Sequence, residues 1–117
     1  MLDEAIKKQI LDVIFSLIDS QKCIIFLFGS FAKHDERRTS DIDIGVLSSE
    51  SLPPSKICTL RDELNEKVRT LRKIDFVDFS IANDKIFVKE AIKEAKIWYQ
   101  GKECKTTLET LKKQFAN

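Results

Sequence analysis

Charge of one sign is what this chain most lacks: 20 Lys+Arg against 19 Asp+Glu leave a formal charge of +1. Domains that hold nucleic acid mainly through its phosphates carry a strong basic excess, so direct nucleic-acid binding is not expected. Long apolar runs are missing as well. The longest, Cys23 to Phe28, is strand-sized and far below the roughly 18 residues that span a bilayer, which excludes a membrane-spanning helix. The first residues, Met1-Leu2-Asp3-Glu4, are acidic and open a helical pattern, so no export signal is expected. Cysteine is scarce and unpatterned: Cys23, Cys58 and Cys104 are odd in number, with neither CxxC spacing nor a histidine clustered beside them. They read as free thiols, and the expected location is the cytoplasm. Repeats, low-complexity tracts and internal linkers are also absent, and 117 residues with 43% apolar content predict a single domain, 1–117, with a core that needs no disulfide or metal staple.

What is present alternates between helical and strand patterns. Ile6, Ile10, Leu11, Val13, Ile14, Leu17 and Ile18 recur at three- and four-residue spacing, which predicts an amphipathic helix over Leu2 to Ile18. Cys23 to Phe28 is apolar throughout, rich in β-branched and aromatic residues, and ends at Gly29, the pattern of a mid-sheet strand buried on both faces. A short Ser30-to-Lys33 segment and a polar stretch from His34 to Thr39 lead to a second strand over Asp41 to Leu47. Pro53-Pro54 breaks that pattern, and Pro54 suits a helix start. Ile57, Leu60, Leu64, Val68 and Leu71 then predict a helix over Ser55 to Leu71. Lys73 to Ile81 reads as a third strand. Asn83-Asp84 offers a cap for a helix to about Ala95, followed by a short edge strand at Ile97-Trp98-Tyr99 and a final helix over Thr107 to Phe115. The fold class is therefore α/β (α+β), a small mixed sheet of three to four strands flanked by helices.

One constellation carries chemistry. Gly29-Ser30 closes the first strand, Asp41 and Asp43 open the next, and Asp75 lies in the third. Residues two apart on a strand project from one face with Cα atoms about 6.5 to 7 Å apart, so Asp41 and Asp43 converge. Two such carboxylates resist joint ionisation unless a cation lies between them, and a hard divalent ion with oxygen ligands fits. Gly29 allows close backbone approach to a phosphate, and Ser30 offers a hydroxyl at the start of a short helix. Lys33, ahead of Arg37 and Arg38, is the candidate triphosphate charge.

Gly29-Ser30-Phe31-Ala32-Lys33 followed by Ser40-Asp41-Ile42-Asp43-Ile44 resembles the signature of the polymerase-beta-like nucleotidyltransferases, and among them the minimal nucleotidyltransferases (MNT). The resemblance is close over Phe26 to Val46 and looser over Ile74 to Phe79. It departs at Lys33, where arginine is usual, and at His34, where glycine is common. It implies that Gly29 and Ser30 hold the phosphates, beside the candidate charge of Lys33, and that Asp41, Asp43 and Asp75 bind Mg2+, with two ions expected and ATP as substrate. It also implies an antitoxin role in a two-gene module whose partner is a helical HEPN-type ribonuclease toxin, with AMP transferred from ATP to a tyrosine of that toxin. The alternative is an antitoxin or nucleotide-binding subunit that neutralises its partner by complex formation, with little or no catalysis.

Several residues carry competing readings. Asp75 and Asp78 fall on opposite faces of their strand, so one faces the Asp41/Asp43 pair, and the resemblance favours Asp75. His34 reads as a solvated loop residue, the cysteines as small buried hydrophobes, and Trp98 and Tyr99 as core packing ahead of a partner surface.

Overall fold

The structure, a computed structural model, describes residues 3–29, 41–80 and 85–104. Asp3 accepts a hydrogen bond from the Ala5 N–H at 2.8 Å and starts α1, Glu4–Phe15. A side chain in this position satisfies one of the unpaired amides of the first turn, and Glu4 beside it complements the positive helix end. The helix stops short of the expected Ile18: Ser16 closes it, and Leu17 and Ile18 both donate N–H to the Ile14 carbonyl. Ile18 is buried all the same. Apolar spacing reports which residues face the core, and the turn after the helix continues to do so.

A 3₁₀ turn at Ser20–Lys22, capped by Asp19, delivers the chain into β1, Cys23–Phe28, which is buried along its whole length. This strand pairs antiparallel with β2, Ile42–Ser48, on one side and with β4, Lys96–Gln100, on the other. β2 in turn pairs parallel with β3, Ile74–Asp78, giving the order β3-β2-β1-β4. A parallel pair needs a crossover, and α2, Pro54–Lys67, makes it. The last described helix, α3, Lys85–Lys93, joins β3 to β4. The mixed four-stranded sheet flanked by helices is the class the sequence predicts.

Strand alternation sorts the core into two layers. Cys23, Ile25 and Leu27 of β1, Ile42, Ile44 and Val46 of β2, and Ile74 and Phe76 of β3 pack with α1 and α2. The intervening Ile24, Phe26, Phe28 and Leu47 pack with Val88, Ala91 and Ile92 of α3. Gly45 sits on that second face, where a Cβ would run into the Phe26 ring. Its missing side chain makes room for a phenylalanine cluster, with Phe79 edge-on to Phe26 at 4.9 Å and to Phe28 at 5.1 Å.

Two further expectations shift at element ends, and one on the cysteines. The second helix, expected to Leu71, ends at Lys67, because Val68 turns extended and the Arg69 N–H bonds Gln9 Oε1 of α1. Leu71 is consequently fully exposed. The third strand ends at Asp78, not Ile81, and a turn at Phe79 and Ser80 follows. Cys23 is buried as expected, but Cys58 is exposed, so only one of the two is a core residue. Trp98 and Tyr99 pack against the α1 layer, Lys7 lying over the indole and Phe15 edge-on to the phenol ring at 4.6 Å. The short helix expected at Ser30 to Lys33, the Asn83-Asp84 cap and the final helix over Thr107 to Phe115 lie outside the described residues. Among the described residues no helix is long and apolar enough to cross a membrane.

Candidate functional site

The parity that sorts the core also places the acidic residues. Asp43 lies between Ile42 and Ile44, so it shares the α3 face of the sheet with Gly45 and Leu47. Asp75, between Ile74 and Phe76, shares the same face on β3. The parallel register sets Asp43 directly opposite Asp75, and the antiparallel register sets Phe28 opposite Asp43. Two carboxylates and one ring thus meet where β1 ends and β2 and β3 begin. Asp41 lies just ahead of β2 and is exposed.

Gly29 closes this corner. Its φ of +74° lies in the left-handed region that other residues avoid, and a Cβ there would collide with Asp43 Oδ2. The backbone therefore approaches the Asp43 carboxylate as closely as only glycine allows. Burial, joined by the negative charges of Asp75 and then Asp41, pushes the Asp43 carboxyl up from its ordinary value of 3.8 to about 6. Burial and like charge both disfavour the ionised form.

Asp75 has partners that Asp43 lacks. Its Oδ1 accepts the Phe76 N–H at 3.0 Å and stands 3.6 Å from Arg61 Nε of α2. Arg61 also donates from Nε to the Phe76 carbonyl at 3.0 Å. Composition and spacing gave no sign of Arg61. The available signal was its place between the buried Leu60 and Leu64, at the margin of the packing face of α2.

Asp78 is placed elsewhere. It is buried, lies on the other face of β3, and its Oδ1 accepts the Ser80 N–H at 2.9 Å, which ties down the turn after the strand. Ser30 and Lys33, the expected phosphate ligands, and His34, Arg37 and Arg38 lie outside the described residues.

Asp43 and Asp75 line a cleft of about 290 Å³ together with Phe28, Gly29, Phe87, Glu90 and Ala91. Phe87, Glu90 and Ala91 come from one face of α3 at i, i+3 and i+4 spacing, a contribution the sequence pattern signalled only as amphipathicity. A larger hollow of about 610 Å³, lined by Lys22, Ser49, Glu50, Lys102, Glu103 and Cys104, holds no part of the acidic set. Its Lys22 and Glu50 neutralise each other in an ion pair of 2.9 Å, so the carboxylate cleft is the stronger candidate. Among the described residues no three His, Cys, Asp or Glu side chains gather into a ready-made metal cluster. The cleft offers instead a facing pair of hard oxygen donors, Asp43 and Asp75, with the charge of Asp41 close enough to act on Asp43.

The family described as Polymerase beta, Nucleotidyltransferase matches residues 8–103. No curated protein matches the chain. Among solved structures it is similar to a toxin–antitoxin crystal structure with AMP-PNP, with 22% identity, a TM-score of 0.76, and coverage of 94% of this chain and 83% of that one. It is similar to a mutant of the toxin–antitoxin MntA-HpeT at 21% identity and a TM-score of 0.75, covering 98% and 84% of the two chains. A third likeness is to a structure of a tri-AMPylated Shewanella oneidensis HEPN toxin in complex with MNT antitoxin, at 20% identity and a TM-score of 0.68, covering 98% and 81%. At these identities the likeness is one of fold.

Proposed function

This chain belongs to the polymerase beta nucleotidyltransferase family, and from that premise we propose that it is an antitoxin that transfers AMP from ATP to a hydroxyl of a protein partner, a tyrosine of a HEPN-type toxin. The observation that carries the reading is the register pair of Asp43 and Asp75 at the mouth of a cleft closed by a left-handed glycine. The structural neighbours support it from outside: one holds an ATP analogue, and another is a toxin already AMPylated in complex with its MNT antitoxin.

The donor set fits Mg2+. Asp43 and Asp75 supply two carboxylates, Asp41 adds charge, and Mg2+ typically takes one or two carboxylates together with substrate phosphates and water. Bound there, the ion would supply charge neutralisation for the triphosphate and the departing pyrophosphate. That Asp43 is held up near 6 by burial first and then by its acidic neighbours Asp75 and Asp41 is the electrostatic mark of a site that favours a cation.

The remaining work falls to the chain itself. The acceptor oxygen attacks the α-phosphorus, the bond from that phosphorus to the bridging oxygen of the β-phosphate breaks, and pyrophosphate leaves with that electron pair. Asp75, held from behind by the Phe76 N–H and Arg61, accepts the hydroxyl proton. Gly29 keeps the floor of the corner low beside Asp43. The domain supplies the nucleotide side, and the partner supplies the acceptor side.

The test is the intact mass of the toxin after incubation with this protein, Mg2+ and each nucleoside triphosphate in turn. The expected result is a gain of one or more AMP units with ATP, with the rate falling roughly 100-fold or more in Asp43→Asn, the range seen when one group that stabilises transition-state charge is removed. A stable complex with no mass gain would instead establish neutralisation by complex formation alone.

A further inference from the structure

Phe26, Phe28 and Phe79 form a connected ring cluster with Phe87 of α3. Three of these rings are buried, as core phenylalanines should be, but Phe87 keeps 39% of its surface exposed, and it does so inside the carboxylate cleft. We propose that Phe87 is the platform on which the base of the nucleoside triphosphate stacks. The inference rests on the nucleotidyltransferase reading and adds to it the residue that recognises the base.

The ring is held in place before any ligand arrives. Phe79 stacks with it at 5.7 Å and 24°, and Phe28 meets it edge-on at 6.0 Å and 86°. A platform braced by two buried rings loses little conformational freedom on binding, so most of the stacking energy is realised as affinity. Every base has a π-face, and base–aromatic stacking is worth about 1–3 kcal/mol by alanine substitution.

The rest of the cleft narrows the ligand chemistry. Among the described residues its lining sets the ring of Phe87 beside the carboxylates of Asp43, Asp75 and Glu90. A neutral planar ring with N–H groups on its edge satisfies both kinds of surface: its face lies on Phe87, and its edge donates to Glu90, which stands one turn further along the same helix. The volume of about 290 Å³ lies at the small end of ligand sites, sized for one ring system with its sugar.

The same chemistry has a second source, the aromatic side chain of the acceptor, and the experiment separates the two. Calorimetric titration of the full chain with ATP and with inorganic tripolyphosphate, both in Mg2+, is done for the native protein, Phe87→Leu and Phe87→Trp. Leucine keeps the apolar volume and removes the ring, so the fold is preserved, and tryptophan keeps a stacking face. The expected result is that Phe87→Leu binds ATP about tenfold more weakly, the equivalent of ~1.4 kcal/mol, while tripolyphosphate affinity changes less than about twofold and Phe87→Trp binds ATP like the native chain. Unchanged ATP affinity in Phe87→Leu would overturn the proposal, and if the KM for the protein acceptor then rises alone, the ring belongs to the acceptor. Failure of the native chain to bind either ligand would overturn the nucleotidyltransferase reading itself, a different result from loss of the base platform.

Discussion

At the scale of single residues, the site is defined by one contact that no other side chain permits. Gly29 combines a φ of +74° with a backbone position against Asp43 Oδ2. Gly29→Ala meets both penalties, left-handed strain and a forced displacement of the carboxylate. It is expected to cost about 1–3 kcal/mol, read from the denaturant midpoint, and to slow the proposed AMP transfer along with it. A Gly29→Ala change that costs nothing would show that the corner relaxes. Cys23 stands at the other extreme of reactivity. Burial, with a smaller push from Cys104 and Asp19, raises its thiol from 9.0 to about 11, which keeps it in the unreactive protonated form.

At the scale of elements, α2 does for β3 what a neighbouring strand would do. β3 is an edge strand, and its outer backbone groups need partners. Asn65 supplies two of them: its Oδ1 accepts the Ile74 N–H and its Nδ2 donates to the Ile74 carbonyl, both at 2.8 Å. Arg61, one turn earlier, serves the Phe76 carbonyl and stands beside Asp75. The helix thereby holds the strand that carries the third carboxylate. Asn65→Ala removes both bonds to Ile74, which are partly buried, and is expected to cost about 1–2 kcal/mol in denaturant unfolding. Amide exchange at Ile74 should quicken beyond the global loss of stability, and exchange no faster than the global value would show that α2 does not hold the edge.

At the scale of the whole molecule, the Asp43 carboxyl couples the proposed function to stability. Its folded value near 6 lies above the ordinary 3.8, so between those pH values the folded chain keeps a proton that the unfolded chain has lost. Stability therefore falls as pH rises through that window, and the full penalty is present above about pH 6. Because the group is partly open to solvent, the penalty is discounted for screening to about 1–2 kcal/mol. Asp43→Asn removes it. The expected outcome is a Tm a few degrees above the native protein at pH 8 and a difference close to zero near pH 4, measured by calorimetry, in a variant expected to lose the proposed AMP transfer. An equal gain at both pH values would mean that the amide stabilises by packing and not by relieving charge.

Much of the architecture could be read from the chain. The apolar run Cys23–Phe28 is central because a strand with no polar residue has to be covered on both faces, and the placing of Asp75 and Asp78 on opposite faces follows from the two-residue period of a strand, while the choice between them came from the family resemblance. Element ends were less legible, since Ile18 and Val68 are buried in turns as completely as helix residues are. What only the tertiary structure decided is who meets whom across the sheet. The pairing of Asp43 with Asp75 depends on a parallel register set by the α2 crossover, and the presence of Arg61, Phe87 and Glu90 at the site depends on which faces of α2 and α3 lie against the strands. Periodicity along a chain specifies which side of each element is apolar, because burial acts residue by residue. It leaves unspecified the distances between elements, which are set jointly by every side chain packed between them.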